Sequence, residues 1–180
     1  FHTWLPYAHS AAPSHISGMM SGVIIKLGIF GILKMLLLIK GNYLIVGYVI
    51  LAISVISGVY GVMLAIVQHN VKKLLAYHSI ENIGIISIGS GLGCIGLGTN
   101  NSYLTFAGFA GALLHTLNHS LFKSLLFYGA GTVYQATHTM DIEHLGGLIK
   151  KMPQTATLFL IAALAICGLP PFNGFISEFL

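Results

Sequence analysis

An apolar run from 102 to 134 carries three ionisable side chains at a spacing of four, His115, His119 and Lys123, within HTLNHSLFKSLLFY. A helix that crosses a bilayer needs ~20 mostly apolar residues, and this run exceeds that length. Positions i, i+4 and i+8 stack on one helix face over two turns. A charge at the bilayer centre costs roughly 2.5–3.5 kcal/mol on insertion scales, and residues that bear this cost face a protein interior or a water-filled path. The stripe therefore demands a covered face and a use for its titratable groups. A proton relay supplies both. Metal or haem ligation by the i, i+4 histidines is the competing chemistry, but no second pair of ligands lies at similar depth, and Lys123 puts a positive charge one turn away.

The rest of the chain fits a membrane. It has 8 Lys+Arg and 4 Asp+Glu in 180 residues, is 56% hydrophobic and has a mean hydropathy of +0.87, which excludes an ordinary soluble domain. The net charge of +4 is small and scattered, with no arginine, so there is no nucleic-acid footprint. Cys94 and Cys167 lie in apolar stretches without metal-ligand spacing and are expected to be small buried hydrophobes. The chain opens on Phe1 without a charged signal region and stops at Leu180 inside an apolar segment. It is therefore expected to be an internal fragment, with part of any site outside it.

The expected fold is all-α: a polytopic transmembrane helix bundle of about five spans, preceded by a short re-entrant or interfacial helix. Residues 1–13, with Trp4, Tyr7, Pro6 and Pro13, are too short and polar to span. Ser14 reads as the N-cap of a first span over 15–39, with Lys26 at its middle and Lys34 near enough to the end to snorkel. Ser17, Gly18, Ser21 and Gly22 offer a close helix-packing face. After a turn at Lys40-Gly-Asn42, a second span over 43–67 has no charge and a small-residue face of Ser54, Ser57, Gly58 and Gly61. An amphipathic interfacial stretch over 68–77 leads to a third span over 78–98, with His78 and Glu81 near its polar end. The fourth span carries the stripe. A fifth begins near Thr155 and is broken over 168–174 by Gly168, Pro170, Pro171 and Gly174, with Glu178 just beyond. Broken helices at membrane depth are tolerated where they line a cavity or are buried, and in transporters they often mark the ion site.

Five spans put Lys72-Lys73 and Lys150-Lys151 on one side, opposite Lys40 and Lys34. The positive-inside rule makes the double-lysine side cytoplasmic. Lys26, too deep for easy snorkelling, reads as a proton-exchanging lysine, because burial disfavours the ammonium and a neighbouring charge can switch its protonation. His78 and Glu81 are accessory candidates, although Glu81 could merely solvate a helix start. His2, His9, His15, His69, His138 and His144 lie in or near loops and are expected to face solvent.

These segments carry a resemblance. FHTWLPYAHSAAPSHISGMMSGVIIKLGIFGILK, VKKLLAYHSIENIGII, HTLNHSLFKSLLFYGAG, MDIEHLGGLIKKMP and GLPPFNGFISEFL resemble the proton-translocating, antiporter-like membrane subunit family. That family includes the large membrane subunits of NADH:quinone oxidoreductase, Mrp-type sodium/proton antiporter subunits and the membrane arms of energy-converting hydrogenases. APSHISGMMSGVIIK, AYHSIENIG and LPPFNGFISEFL are most similar to its hydrogenase-4/formate hydrogenlyase branch.

The resemblance implies about fourteen helices with two inverted five-helix repeats, each holding one broken helix, and protons moving along a mid-membrane axis of lysines, histidines and glutamates. By motif, Lys26 matches the central-axis lysine, His115, His119 and Lys123 match the histidine- and lysine-bearing helix, and Glu178 matches the ionisable residue of the second broken helix. Residues 1–180 would be a single proton-conducting piece, the second repeat plus the tail of the first broken helix, with a glutamate and a lysine of the first repeat lying upstream. The implied function is a proton-translocating subunit of a redox-driven complex in a prokaryotic inner membrane. The alternative is an Mrp-type antiporter subunit without a redox role. No cofactor is expected in this chain, since iron–sulfur, nickel or flavin centres would sit in partner subunits. The expected partners are other membrane and peripheral subunits, the lipid bilayer, and protons or sodium, but not nucleic acid.

Overall fold

A computed structural model describes residues 3–38 and 41–180. The described residues are almost entirely helical; their one β-type pairing is an isolated antiparallel bridge between Asn70 and Asp141. A short helix α1 (Trp4–Ala11) is followed by α2 (Ser14–Met19), a π turn (Met20–Ile24) and α3 (Ile25–Leu38), the last three forming one rod, Ser14–Leu38. Then come α4 (Tyr43–Ile66), α5 (Val71–Gly98) and α6 (Ser102–Thr137). A 3₁₀ turn (Ile142–His144) and α7 (Leu148–Lys151) lead to α8 (Pro153–Ile166) and α9 (Asn173–Phe179). His2 and Lys40, named above, lie outside the described residues.

The rod Ser14–Leu38, α4 and α5 are each long and apolar enough to cross a membrane. At ~1.5 Å per residue α6 would reach ~54 Å, well beyond a ~30 Å hydrocarbon core, and the polar stripe dilutes its hydropathy. The expected fifth span is split into α8, of 14 residues, and α9, of 7. The bundle is an inverted soluble fold. Leu27, Phe30, Leu37, Ile53, Ile56 and Met63 point outward, while Ser17, Ser21, Ser79, Asn82, His115, His119 and Lys123 are buried.

Asparagines start three of the rods. Asn42 accepts from Leu44 N and Ile45 N, Asn70 from Lys72 N and Lys73 N, and Asn101 from Leu104 N, satisfying donors that a helix start leaves free. Ser14 is not the cap expected of it. Pro13 holds the cap position in extended conformation (φ −55°, ψ 147°) and Ser14 is the first helical residue, without a capping bond.

Residues 71–98 form one continuous helix rather than an interfacial stretch followed by a span, since Asn70 caps at the polar edge and no breaker follows. The lysines at its start are tied down. Lys72, only 8% exposed, donates from Nζ to Ala12 O at 2.8 Å, and Lys73 Nζ lies 5.6 Å from the Tyr7 ring centroid. Cys94 is buried as expected, but Cys167 is exposed, because α8 ends there and the chain turns outward into the break.

α6 is the hub, packed by α5, by α2 and the π turn, by α8 and by α9. α4 lies along α5 at backbone contact. A Cβ added at Gly84 would meet Ser54 O and Gly58 Cα at 2.9 Å each. Gly84→Val in the full-length protein should therefore lower unfolding stability by about 1–3 kcal/mol through overpacking, measured by thermal unfolding in detergent. Gly28→Ala, where an added Cβ meets nothing within 4 Å, should cause no loss. Equal stability of the two variants would contradict this packing.

Candidate functional site

The stripe on α6 lies inside the bundle. His115 is 1% exposed, and His119 and Lys123 are both 0% exposed. Four-residue spacing brings the imidazoles over one another, with ring centroids 6.4 Å apart at an interplanar angle of 22°. Phe122 meets both rings edge-on and closes the apolar side of the stripe.

Lys26 reaches this stripe from the rod. Its Nζ lies 2.6 Å from His119 Nδ1 and also donates to Ser21 O. The π turn over Met20–Ile24 directly precedes it, and such bulges occur frequently at functional sites. The contact works with either owner of the proton: the lysine ammonium donates to a bare Nδ1, or an Nδ1–H donates to a neutral amine. His119 Nε2 is buried with no hydrogen-bond partner among the described residues.

Hydrogen bonds determine the tautomer of neutral His115. Asn82 Nδ2 donates to His78 O at 2.8 Å, which turns Oδ1 toward His115 Nε2 at 3.1 Å. An amide oxygen only accepts, so Nε2 carries hydrogen and Nδ1 faces the Ser177 hydroxyl at 3.0 Å. One turn before Asn82, His78 Nδ1 meets Glu81 Oε2 at 2.5 Å, a half-buried pair on the same helix. The accessory residues His78 and Glu81 thus connect to His115 through Asn82, by backbone and amide.

Lys123 lies at the other end of the stripe. Its Nζ donates to Leu75 O at 2.6 Å, an oxygen that also accepts from Ser79 Oγ at 3.1 Å. Ser79 in turn meets Ser21 Oγ at 2.9 Å. Lys26 and Lys123 are therefore linked by hydrogen bonds through Ser21 of the rod and Ser79 and Leu75 O of α5.

The broken helix is a built feature. Helix α8 stops at Ile166, Gly168 adopts φ +62°, and α9 restarts at Asn173. The Pro170–Pro171 peptide bond is cis. Gly168 is required by its positive φ, with the Glu178 carboxylate lying beside it, and Gly174 by close approach, since a side chain there would meet the backbone oxygen of Ala165. Glu178 sits against the break and is exposed in this chain, with no hydrogen bond or ion pair to Lys123 among the described residues. Its neighbour Ser177 is the α9 residue that touches the stripe.

His9 was expected to face solvent and does not. It is 0% exposed and stacks on Phe127, with centroids 4.8 Å apart and rings 19° from parallel. α1 is too short to show a periodicity from which a buried face could be read. His15, His69, His138 and His144 are exposed, as expected. Asn82, Asn118, Ser177 and Ser79 were missed, and in the sequence they look like helix polarity of no particular depth. Among the described residues no group of three or more His, Cys, Asp or Glu could hold a metal ion.

Asn82→Leu would leave His115 Nε2–H buried without its acceptor. That should cost about 1–3 kcal/mol, read as a lower unfolding temperature of the full-length protein. An unchanged temperature would contradict the assigned tautomer.

A family profile described as "NADH:quinone oxidoreductase/Mrp antiporter, TM" matches residues 1–180. Hydrogenase-4 component B of Escherichia coli (strain K12) is 51% identical over 180 residues, covering 98% of this chain and 27% of that protein. Formate hydrogenlyase subunit 3 of the same organism is 44% identical over 177 residues, covering 98% of this chain and 29% of that protein. Among solved structures, respiratory complex I from Thermus thermophilus superposes with a TM-score of 0.86 at 29% identity, covering 99% of this chain and 36% of the matched chain. This chain thus spans about a third or less of the length of each of these relatives.

Proposed function

The chain belongs to the NADH:quinone oxidoreductase/Mrp antiporter membrane family, a family of multi-pass membrane subunits, and on that premise we propose that it is the proton-conducting part of a longer subunit in a redox-driven complex. The complex is of hydrogenase-4/formate hydrogenlyase or NADH:quinone oxidoreductase type. Residues 1–180 form the second inverted repeat with the tail of the first broken helix. The bundle sits in a prokaryotic cell membrane with its double-lysine segments on the cytoplasmic side. Electron-transfer centres reside in partner subunits. The identities to hydrogenase-4 and formate hydrogenlyase subunits favour a redox partner over an Mrp-type antiporter.

One observation carries this reading: Lys26 Nζ and His119 Nδ1 lie 2.6 Å apart, from positions 93 residues apart in sequence. Two titratable groups in hydrogen-bond contact inside the bundle can exchange a proton, and a change of charge on one alters the protonation of the other. Lys26 exchanges protons with groups upstream of this chain and with His119. His115 continues the row toward the broken helix and Glu178, and Lys123 extends it toward the end of the bundle where Leu75 lies. Conformational or charge change in the partner subunits drives the sequence electrostatically.

The test uses the full-length protein in its complex, reconstituted in proteoliposomes, with redox turnover and a pH-gradient dye followed together. Lys26→Ala and Glu178→Gln should each abolish the gradient or reduce it at least about tenfold, as for loss of a proton-transfer group. A full gradient in both variants would overturn the assignment of the path.

A further inference from the structure

We propose that Ser177 is a further positioning residue of this axis: its hydroxyl turns between two hydrogen-bonded settings that match the two protonation states of His115, and so ties that histidine to the helix break. The proposal rests on the proton-conducting reading above and adds to it a residue outside the titratable row.

The Ser177 oxygen is held by its neighbours. Asn118 Nδ2 donates to it at 3.1 Å and also to Asn173 O at 2.9 Å, while Asn173 Nδ2 donates to Asn118 Oδ1 at 3.0 Å. These bonds join α6 to the first residue of α9, and Ser177 is only 5% exposed. With its oxygen held, only the hydroxyl hydrogen is free to turn. Two acceptors compete for it: His115 Nδ1 at 3.0 Å and Gly174 O at 2.9 Å. Asn173 O, at 3.4 Å, is a poorer one.

Proton bookkeeping gives two settings. In neutral His115, Nε2–H donates to Asn82 Oδ1 and Nδ1 is bare, so the Ser177 hydroxyl donates to Nδ1. When His115 gains a proton, that proton resides on Nδ1 and donates to Ser177 Oγ. The hydroxyl hydrogen then has one good acceptor left, Gly174 O. Each setting leaves both imidazole nitrogens satisfied, so neither state of His115 incurs the penalty of an unpaired buried group.

The second setting reaches the break. Gly174 stands in the first turn of α9 with its Cα against Ala165 O, the contact that closes the interruption between α8 and α9. Gly174 O thus gains or loses a donor as His115 gains or loses its proton. Glu178, one residue after Ser177, has its carboxylate beside Gly168 at the same closure. The titratable groups around His115 are His119 and, further along α6, Lys123; Lys26 on the rod; His78 and Glu81 on α5; and Glu178 on α9. None of them hydrogen-bonds to it, and its two ring partners are Asn82 and Ser177. A serine that merely folded back on its own helix would need only Asn173 O or Gly174 O. Ser177 adds contacts to two side chains of another helix.

The experiment compares Ser177→Ala, Ser177→Cys and Ser177→Thr with wild type and Lys26→Ala, as full-length protein in the intact complex in proteoliposomes. Cysteine keeps the volume but is a weak hydrogen-bonding group, and threonine keeps the hydroxyl. Protons translocated per redox turnover should fall roughly threefold to tenfold in Ser177→Ala and Ser177→Cys, the scale of a lost hydrogen bond, while Ser177→Thr exceeds Ser177→Ala by at least about threefold. The pH profile of translocation should move in the alanine variant and return toward wild type in the threonine variant. The proposal is overturned if Ser177→Cys pumps as wild type, since volume would then be the requirement, or if Ser177→Thr does no better than Ser177→Ala. If Lys26→Ala pumps fully, the proton-path reading itself fails. If Lys26→Ala is dead while Ser177→Ala behaves as wild type, only the role of Ser177 is lost.

Discussion

A buried lysine in an apolar bundle is tolerable only if some group accepts from its ammonium, because leaving a buried charge unpaired costs far more than burying a paired one. In this fold Lys123 is fully buried and finds Leu75 O, while Lys26 finds Ser21 O and His119. Each acceptor is a backbone oxygen or an imidazole, and among the described residues no carboxylate pairs with either lysine. Such partners stabilise an ammonium less than a carboxylate would. Both side chains thereby anchor α6 to the helices that pack against it. The arrangement of the rod, α5 and α9 around α6 follows from the need to cover this stripe.

Small residues make the covering possible. Gly84 and Gly58 let α4 and α5 touch at the backbone, and Gly18 and Gly22 let the rod approach Tyr128 and Ser124 on α6. Close approach brings side chains as short as serine and asparagine into hydrogen-bond range across helices. Ser21 to Ser79, Asn82 to His115 and Asn118 to Asn173 are all such contacts. The break between α8 and α9 places a free-standing short helix against the stripe, where a continuous helix would present only a packed face.

Much of this was legible in the sequence because it depends on local pattern. The stripe at 115, 119 and 123, the mid-span lysine at 26 and the Gly-Pro-Pro-Gly interruption are visible as charge or breakers in apolar runs. The residues that the sequence hid are those whose role depends on which helix they meet. Asn82 and Ser177 are unremarkable polar residues until Asn82 is seen to set the tautomer of His115 and Ser177 to face its other nitrogen. His9 was misplaced for the same reason: only the stack on Phe127 shows that its short helix turns inward. Lys72 reads from sequence as an interfacial charge, and only the fold shows its Nζ donating to Ala12 O.

The central claim is the direct contact of Lys26 with His119, and a double-mutant cycle on unfolding stability tests it most directly. Lys26→Met, His119→Leu and the double variant would be unfolded as full-length protein in detergent. A hydrogen bond involving a charged group predicts a coupling of about 1.5–3 kcal/mol between the two sites. Effects that add to within about 0.5 kcal/mol would mean the side chains act independently, and the account of the axis would be contradicted at its centre.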